Sequence, residues 1–322
     1  MDLLHDLRAS LGSPDPVGAS SPHAARYRGY AALVDAWIGL VERGARAVPI
    51  GETVSGSPLV GLEIGPPDAP DAALLLAGMH ATEWIGVEVG LATLQDLAAD
   101  PPRDRRVLAV PLLNVDGFRA VEDDLRQRRW RYRRANAGRI DLNRNWPTFH
   151  SPRSLPGTLF PWLGKPGARP RQAPEVDAVC RWLDQVTGAG VALQCAVSLH
   201  SIGRVILYPY GGRWRAPEAL QPHRDAAAAI DAGCPEHYRP RQTSRWLPGA
   251  FAHGTEIDHL HRTYGATSLL VECSRGGVGL TRPASWLHPF AWYNPPDPAV
   301  EADALRGPLC DFLRNHSRDP MS

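Results

Sequence analysis

Apolar positions along the 322-residue chain fall into a few distinct kinds of stretch. Short unbroken runs, LLLAG at 74–78, RVLAVPLL at 106–113, VALQCAVSL at 191–199 and SLLVEC at 268–273, read as strands buried on both faces. Segments with apolar residues every three or four positions read as helices over 24–45, 84–99, 173–187, 216–232 (alanine-rich) and 301–314. Alternation between Arg46 and Ile64, with Ser55-Gly56-Ser57-Pro58 as the turn, reads as a hairpin leading into a sheet. Strands alternating with helices predict an α/β fold. The remaining polar stretches read as connections. Turn formers crowd 11–22, predicting a loosely packed leader, and Asn114-Val115-Asp116-Gly117-Phe118 reads as a tight turn at a strand end. The proline- and glycine-rich 147–174 predicts a long surface excursion over the site.

Chemistry-bearing side chains stand where three of these runs stop. The first strand ends at Gly78 and delivers His80 and Glu83, three residues apart, ahead of a helix; another ends at His200-Ser201; the last ends at Glu272. An imidazole and a carboxylate so placed can both address one ion, since borderline metals take N and O ligands. The H-x-x-E spacing also arises by chance and carries weight only with further ligands in context. An acid closing a buried strand is costly unless a cation or hydrogen bonds compensate it, which gives Glu272 a reason to face a metal.

Charge changes this picture little. The net charge of +1 offers no global field for nucleic acid or an anionic membrane and points to a small molecule or peptide as partner. The exception is Arg126 to Asn145, RQRRWRYRRANAGRIDLNRN, an arginine run with aromatics. Such a run could track phosphates, but in a balanced chain the planar guanidinium is better matched to an anionic group on a substrate. Five cysteines, an odd number without a C-x-x-C pair, read as reduced structural thiols. The first residues lack the apolar core of a signal peptide, which predicts a cytoplasmic protein.

The ordered set of His80-x-x-Glu83, Asp141-Leu142-Asn143-Arg144-Asn145, His200-Ser201 and Glu272 resembles the zinc carboxypeptidases of the carboxypeptidase A/B type, over residues from about 46 to about 275. GMHATEWIG resembles the family's first zinc motif, SLHSIGRVILYPYG its second, and SLLVEC the strand of its general base. The resemblance implies a single-domain α/β/α sandwich with a mixed, twisted central sheet, residues 1–45 forming a leader and helix packed on a catalytic domain at 46–322. It implies one Zn2+ per chain held by His80, Glu83 and His200, and hydrolysis of a C-terminal peptide bond by a zinc-activated water with Glu272 as base and proton shuttle. Asn143 and Arg144 would grip the substrate's terminal carboxylate, with Ser201 also on the substrate. Arg134 would stabilise the oxyanion; Arg131, following Trp130, is the reserve. The family's substrate-contacting tyrosine is missing, its position falling near Ala250, where Tyr238 or Tyr264 would have to substitute. Ile257 would set an apolar side-chain preference, while Glu256 leaves a basic one open. A short member without an inhibitory pro-domain fits short peptides, or alternatively N-acyl amino acids or cell-wall muropeptides bearing a free carboxylate.

Overall fold

The structure, a computed structural model, describes residues 2–12, 21–153, 165–246, 251–279, 281 and 283–317. Helix α1 (Asp2–Ser10), a 3-10 turn (Pro22–Ala24) and α2 (Tyr30–Glu42) precede the hairpin β1 (Arg46–Glu52) and β2 (Pro58–Ile64). Then follow β3 (Asp71–Ala77), α3 (Trp84–Ala99), β4 (Arg105–Val110), α4 (Val115–Arg126), a 3-10 turn (Leu142–Arg144) and α5 (Pro174–Gly188). The second half runs β5 (Ala192–His200), β6 (Val205–Tyr208), α6 (Leu220–Gly233), β7 (Arg239–Gln242), the short α7 (Thr243–Trp246), α8 (Glu256–Tyr264) and β8 (Thr267–Glu272). The short α9 (Pro289–Tyr293) and α10 (Pro298–Asn315) close the described chain.

All eight strands form one mixed sheet in the order β1-β2-β4-β3-β5-β8-β6-β7. Its centre, β4-β3-β5-β8, is parallel, and antiparallel strands adjoin it on both sides. Parallel central strands are covered on both faces, and the side-chain alternation divides accordingly. Ala73, Leu75 and Ala77 join the apolar cluster that includes α2, α3 and α10, whereas Ala72, Leu74 and Leu76 join the cluster with α5. Helices on both faces complete an α/β/α sandwich.

From β3 the chain winds outward to β4 and then returns to place β5 on the other side of β3. That reversal opens a crevice beyond the carboxyl ends of β3 and β5, where open α/β sheets hold ligands. Gly78 makes the exit from β3 possible: it adopts φ +65°, and a Cβ there would fall 2.4 Å from Leu112 Cδ1.

Several expected elements move. The helix expected over 24–45 is confined to Tyr30–Glu42, after Gly29, and α1 was not anticipated. The tight turn expected at 114–118 is instead the start of α4: Asn114 Oδ1 accepts the Gly117 N–H and caps it. The expected 216–232 and 301–314 helices begin at Leu220 and Pro298, the latter capped by Asp297. Most of the leader, residues 13–20, and 154–164 of the long excursion lie outside the described residues. The five cysteines are free, and no described helix is long and apolar enough to cross a membrane.

Candidate active site

His80 leaves β3, Glu83 immediately precedes α3, and His200 is the last residue of β5. Because β3 and β5 are parallel neighbours, these three buried side chains meet at the switch point. His80 Nδ1 lies 2.9 Å from Glu83 Oε1, His200 Nδ1 lies 3.0 Å from Glu83 Oε2, and the two Nδ1 atoms are 3.1 Å apart. Among the described residues this is the cluster of three whose donor atoms lie close enough to share a metal ion.

The far side of each ring fixes what the near side offers. His80 Nε2 is 3.2 Å from Asp141 Oδ1, and His200 Nε2 is 3.0 Å from Ser198 Oγ and 3.3 Å from Glu256 Oε1. Acceptors at Nε2 place the ring proton there, so both Nδ1 lone pairs point at the same spot as a carboxylate. Converging lone pairs and an anion are tolerable only around a cation. With a proton in that role, burial alone would lower His200, but Glu256 and Glu83 outweigh it and push the ring up to about 10. Burial would raise Glu83, yet both imidazoles hold its carboxyl well below the usual range. Two imidazole nitrogens and a carboxylate fit a borderline dication such as zinc and leave a coordination position open.

A second ring of charge surrounds the first. Asp141 is pulled well below its usual value because the Arg134 guanidinium and His80 override the burial effect. Arg134 donates from Nε to Asp141 Oδ2 at 2.8 Å and lies 3.5 Å from Glu83 Oε1. Burial opposes its charge, but these two acids keep it protonated. Glu272, opposite His200 across β5 and β8, is buried, and its Oε2 has no partner among the described residues. Desolvation and then the charge of Glu83 push it up to about 8.

Asn143 and Arg144 follow Asp141 on the 3-10 turn; the Asn143 amide donates to Asp141 Oδ1, and Arg144 folds its guanidinium onto the Asn143 carbonyl. Ser201 is turned inward: its amide donates to Glu83 Oε2, and its hydroxyl meets Ser274 and the Tyr293 carbonyl. Ile257 is fully buried in an apolar cluster with Val205, Leu207 and Leu270, against which Trp246 packs. Arg131 is exposed, in contrast to Arg134, which lies against Glu83 and Asp141. Tyr238 and Tyr264 are occupied elsewhere, donating to the Cys273 carbonyl and to Asp184 respectively. Ala250 lies outside the described residues.

Sequence reasoning passed over Ser198, Tyr132 and Tyr293, and gave Glu256 a place only beside the specificity residue. Ser198 sits two residues before His200 on the same strand face, a period-2 relation that was available to find it. Glu256 starts α8 and is fully buried, with nothing in its local sequence to turn it inward. Tyr132 and Tyr293 stack beside Arg134 with their hydroxyls 3.1 Å apart. Much of the arginine run serves structure: Arg129 pairs with Asp123 and Asp124, Arg133 with Asp124, and Arg126 with Glu122.

Comparison with known proteins gives the same direction. A family model described as zinc carboxypeptidase matches residues 36–291. Carboxypeptidase A4 of Mus musculus is 27% identical over 297 residues, 85% of this chain and 67% of that protein. Carboxypeptidase O of Bos taurus is 26% identical over 59% of this chain, which spans about half, 54%, of that relative's length. Bovine thrombin-activatable fibrinolysis inhibitor, solved in complex with a tick carboxypeptidase inhibitor, superposes with a TM-score of 0.66 at 18% identity, covering 88% of this chain and 97% of that one. The murein-tripeptide amidase MpaA from Escherichia coli O157 has a TM-score of 0.53 at 19% identity, covering 87% and 97%. At these identities the two structures are alike in fold.

Proposed function

The chain belongs to the zinc carboxypeptidase family, and from that premise we propose that it removes the C-terminal residue of short peptides, with one zinc ion held by His80, Glu83 and His200. The observation that carries this reading is the convergence of two Nδ1 lone pairs and the Glu83 carboxylate beside Glu272, whose Oε2 has no partner among the described residues. When bound there, zinc supplies the Lewis acidity that polarises a carbonyl and acidifies water.

The protein groups divide the remaining work. Glu272 takes a proton from the attacking water as its oxygen forms a bond to the scissile carbonyl carbon. It then hands that proton to the amine as the C–N bond breaks, returning to its starting state. Arg134, held by Asp141 and Glu83, donates toward the negative charge that builds on the carbonyl oxygen. Asn143 and Arg144 grip the free carboxylate of the last residue, which aligns the terminal bond rather than an internal one. Ile257 is the residue we assign to side-chain preference, favouring an apolar side chain, with the adjacent Glu256 leaving a basic one open.

The test is release of amines from a panel of blocked dipeptides, N-acyl amino acids and muropeptides by the zinc-loaded protein, compared with Glu272→Gln. Terminal hydrolysis of the dipeptides, with Glu272→Gln slower by about 10²–10⁴-fold but still binding zinc, is expected. Turnover confined to N-acyl amino acids or muropeptides would replace the peptidase assignment with an amidase. Parental rates in Glu272→Gln would remove the base.

A further inference from the structure

The sheet register carries a line of side chains outward from the catalytic pair. His200 opposes Glu272 across β5 and β8. On the other side of β8, Ile206 opposes Val271, so the next rung sets Val205 against Glu272, and Val205 in turn opposes Arg239 on β7. Residues opposed across strands project from one face. Arg239, and Arg241 two residues on, therefore stand on the same face as His200 and Glu272. With neighbouring strands about 4.8 Å apart, Arg239 lies about 10 Å from Glu272.

At this place the structure has a cleft of about 440 Å³, bordered by Arg204, His237, Arg239, Arg241, Trp246 and Arg275. Arg275 arrives from a different segment, three residues after Glu272, and Gly203 at the cleft floor would bring a Cβ to 3.6 Å from that of Glu272. No acidic residue borders the cleft among the described residues. Arg204 is neutralised by Glu236 and Glu301, and His237 by Asp231. Arg239, Arg241 and Arg275 are exposed and have no ion pair among the described residues. Charges and a proline on an edge strand discourage strand addition, and Arg239-Pro240-Arg241 serves that end. Edge protection explains neither the concave shape nor the convergence of Arg275 from the segment after β8.

We propose that this cleft is an anion-binding subsite that selects substrates with acidic side chains upstream of the scissile bond. The proposal rests on the carboxypeptidase reading: with the terminal residue held by Asn143 and Arg144, the rest of the peptide extends away from the metal. An extended chain advances about 3.3 Å per residue, so the cleft meets side chains two to four residues before the scissile bond.

The test uses the intact zinc-loaded chain and blocked peptides that share their last two residues and carry Glu, Gln or phosphoserine two to four residues upstream. The parent is expected to favour Glu over Gln in kcat/KM by about fivefold, the scale of one or two exposed charge pairs, with the preference shrinking as salt rises. In the triple variant Arg239→Gln, Arg241→Gln, Arg275→Gln the two peptides become equal, while the Gln peptide keeps its parental rate. Equal parental rates, a preference that survives in the variant, or a preference for phosphoserine without one for glutamate overturns the proposal. If no peptide is turned over, the carboxypeptidase reading fails. Calorimetric binding of tetraglutamate then decides the cleft: weaker binding by the variant supports it, and equal binding refutes it.

Discussion

Asp141→Asn separates catalytic positioning from simple packing. The carboxylate accepts from His80 Nε2 at 3.2 Å and the Asn143 amide at 2.9 Å through Oδ1, and from Arg134 Nε at 2.8 Å through Oδ2. An asparagine offers one oxygen. Left on the side of two donors, it turns its NH2 against the Arg134 N–H, and a guanidinium with a largely covered side chain loses its nearest carboxylate. Removing one partner of a buried ion pair costs about 3–5 kcal/mol. Glu83, 3.5 Å from Arg134, retains part of the compensation, so about 2–3 kcal/mol of stability is expected to be lost. Zinc affinity should fall about 10–100-fold through the less firmly held His80 ring, or about 1.4–2.8 kcal/mol. Competition with a chromophoric chelator gives the affinity, and chemical denaturation of the metal-free protein gives the stability. Parental zinc affinity in a destabilised variant would reduce Asp141 to a packing role. Parental values of both would refute the reasoning.

Three further expectations are independent of that one. Arg134→Gln should lower kcat by about 10²–10³-fold with little change in KM, measured by steady-state kinetics; an unchanged kcat removes the arginine from the transition state. His223 should confer acid sensitivity: its Nδ1 donates to the Ala219 carbonyl, its Nε2 accepts the Ser268 amide, and burial followed by His261 pushes it down to about 3. Since its folded value lies below the unfolded value of about 6.5, its contribution is complete above pH 6.5 and declines as pH falls toward 3. At up to about 1.4 kcal/mol per pH unit, the loss by pH 4.5 is about 2–3 kcal/mol. Denaturation across pH should then give His223→Gln a shallower slope, and equal slopes would contradict this. Gly254 has φ +68°, and a Cβ there would lie 2.5 Å from the Arg144 carbonyl oxygen. Gly254→Ala should therefore cost about 1–3 kcal/mol and raise KM several-fold by displacing the carboxylate clamp; unchanged kinetics would show that the clamp tolerates the shift.

The parts of the molecule legible in its sequence share one physical property. β3, β5 and β8 are covered on both faces and therefore appear as unbroken apolar runs, so the polar residues at their ends, His80, His200 and Glu272, stood out against them. α4 was hidden because Asn114-Val115-Asp116-Gly117 has turn composition, while Asp124 interrupts its buried face and the exposed Asp123 adjoins it. The same two acids neutralise arginines that looked like a free basic patch. The place of Glu256 behind His200 could not be read: its environment comes from Asn143 and His200, more than fifty residues away. Sheet order was equally closed to sequence, since it depends on which faces pack together after every strand has formed.

His80 and His200 are 120 positions apart in the chain and 3.1 Å apart in the fold. In the unfolded chain, bringing them together closes a loop whose entropic cost grows as (3/2)RT ln n, about 4 kcal/mol at this length. In the native protein the pairing of β3 with β5 has already met it. The ion should thus distinguish folded from unfolded chains far more sharply than the His80–Glu83 pair would by itself. Free zinc at a thousand times its dissociation constant would raise the unfolding free energy by about 4 kcal/mol, making chelator sensitivity a measure of the integrity of the central sheet.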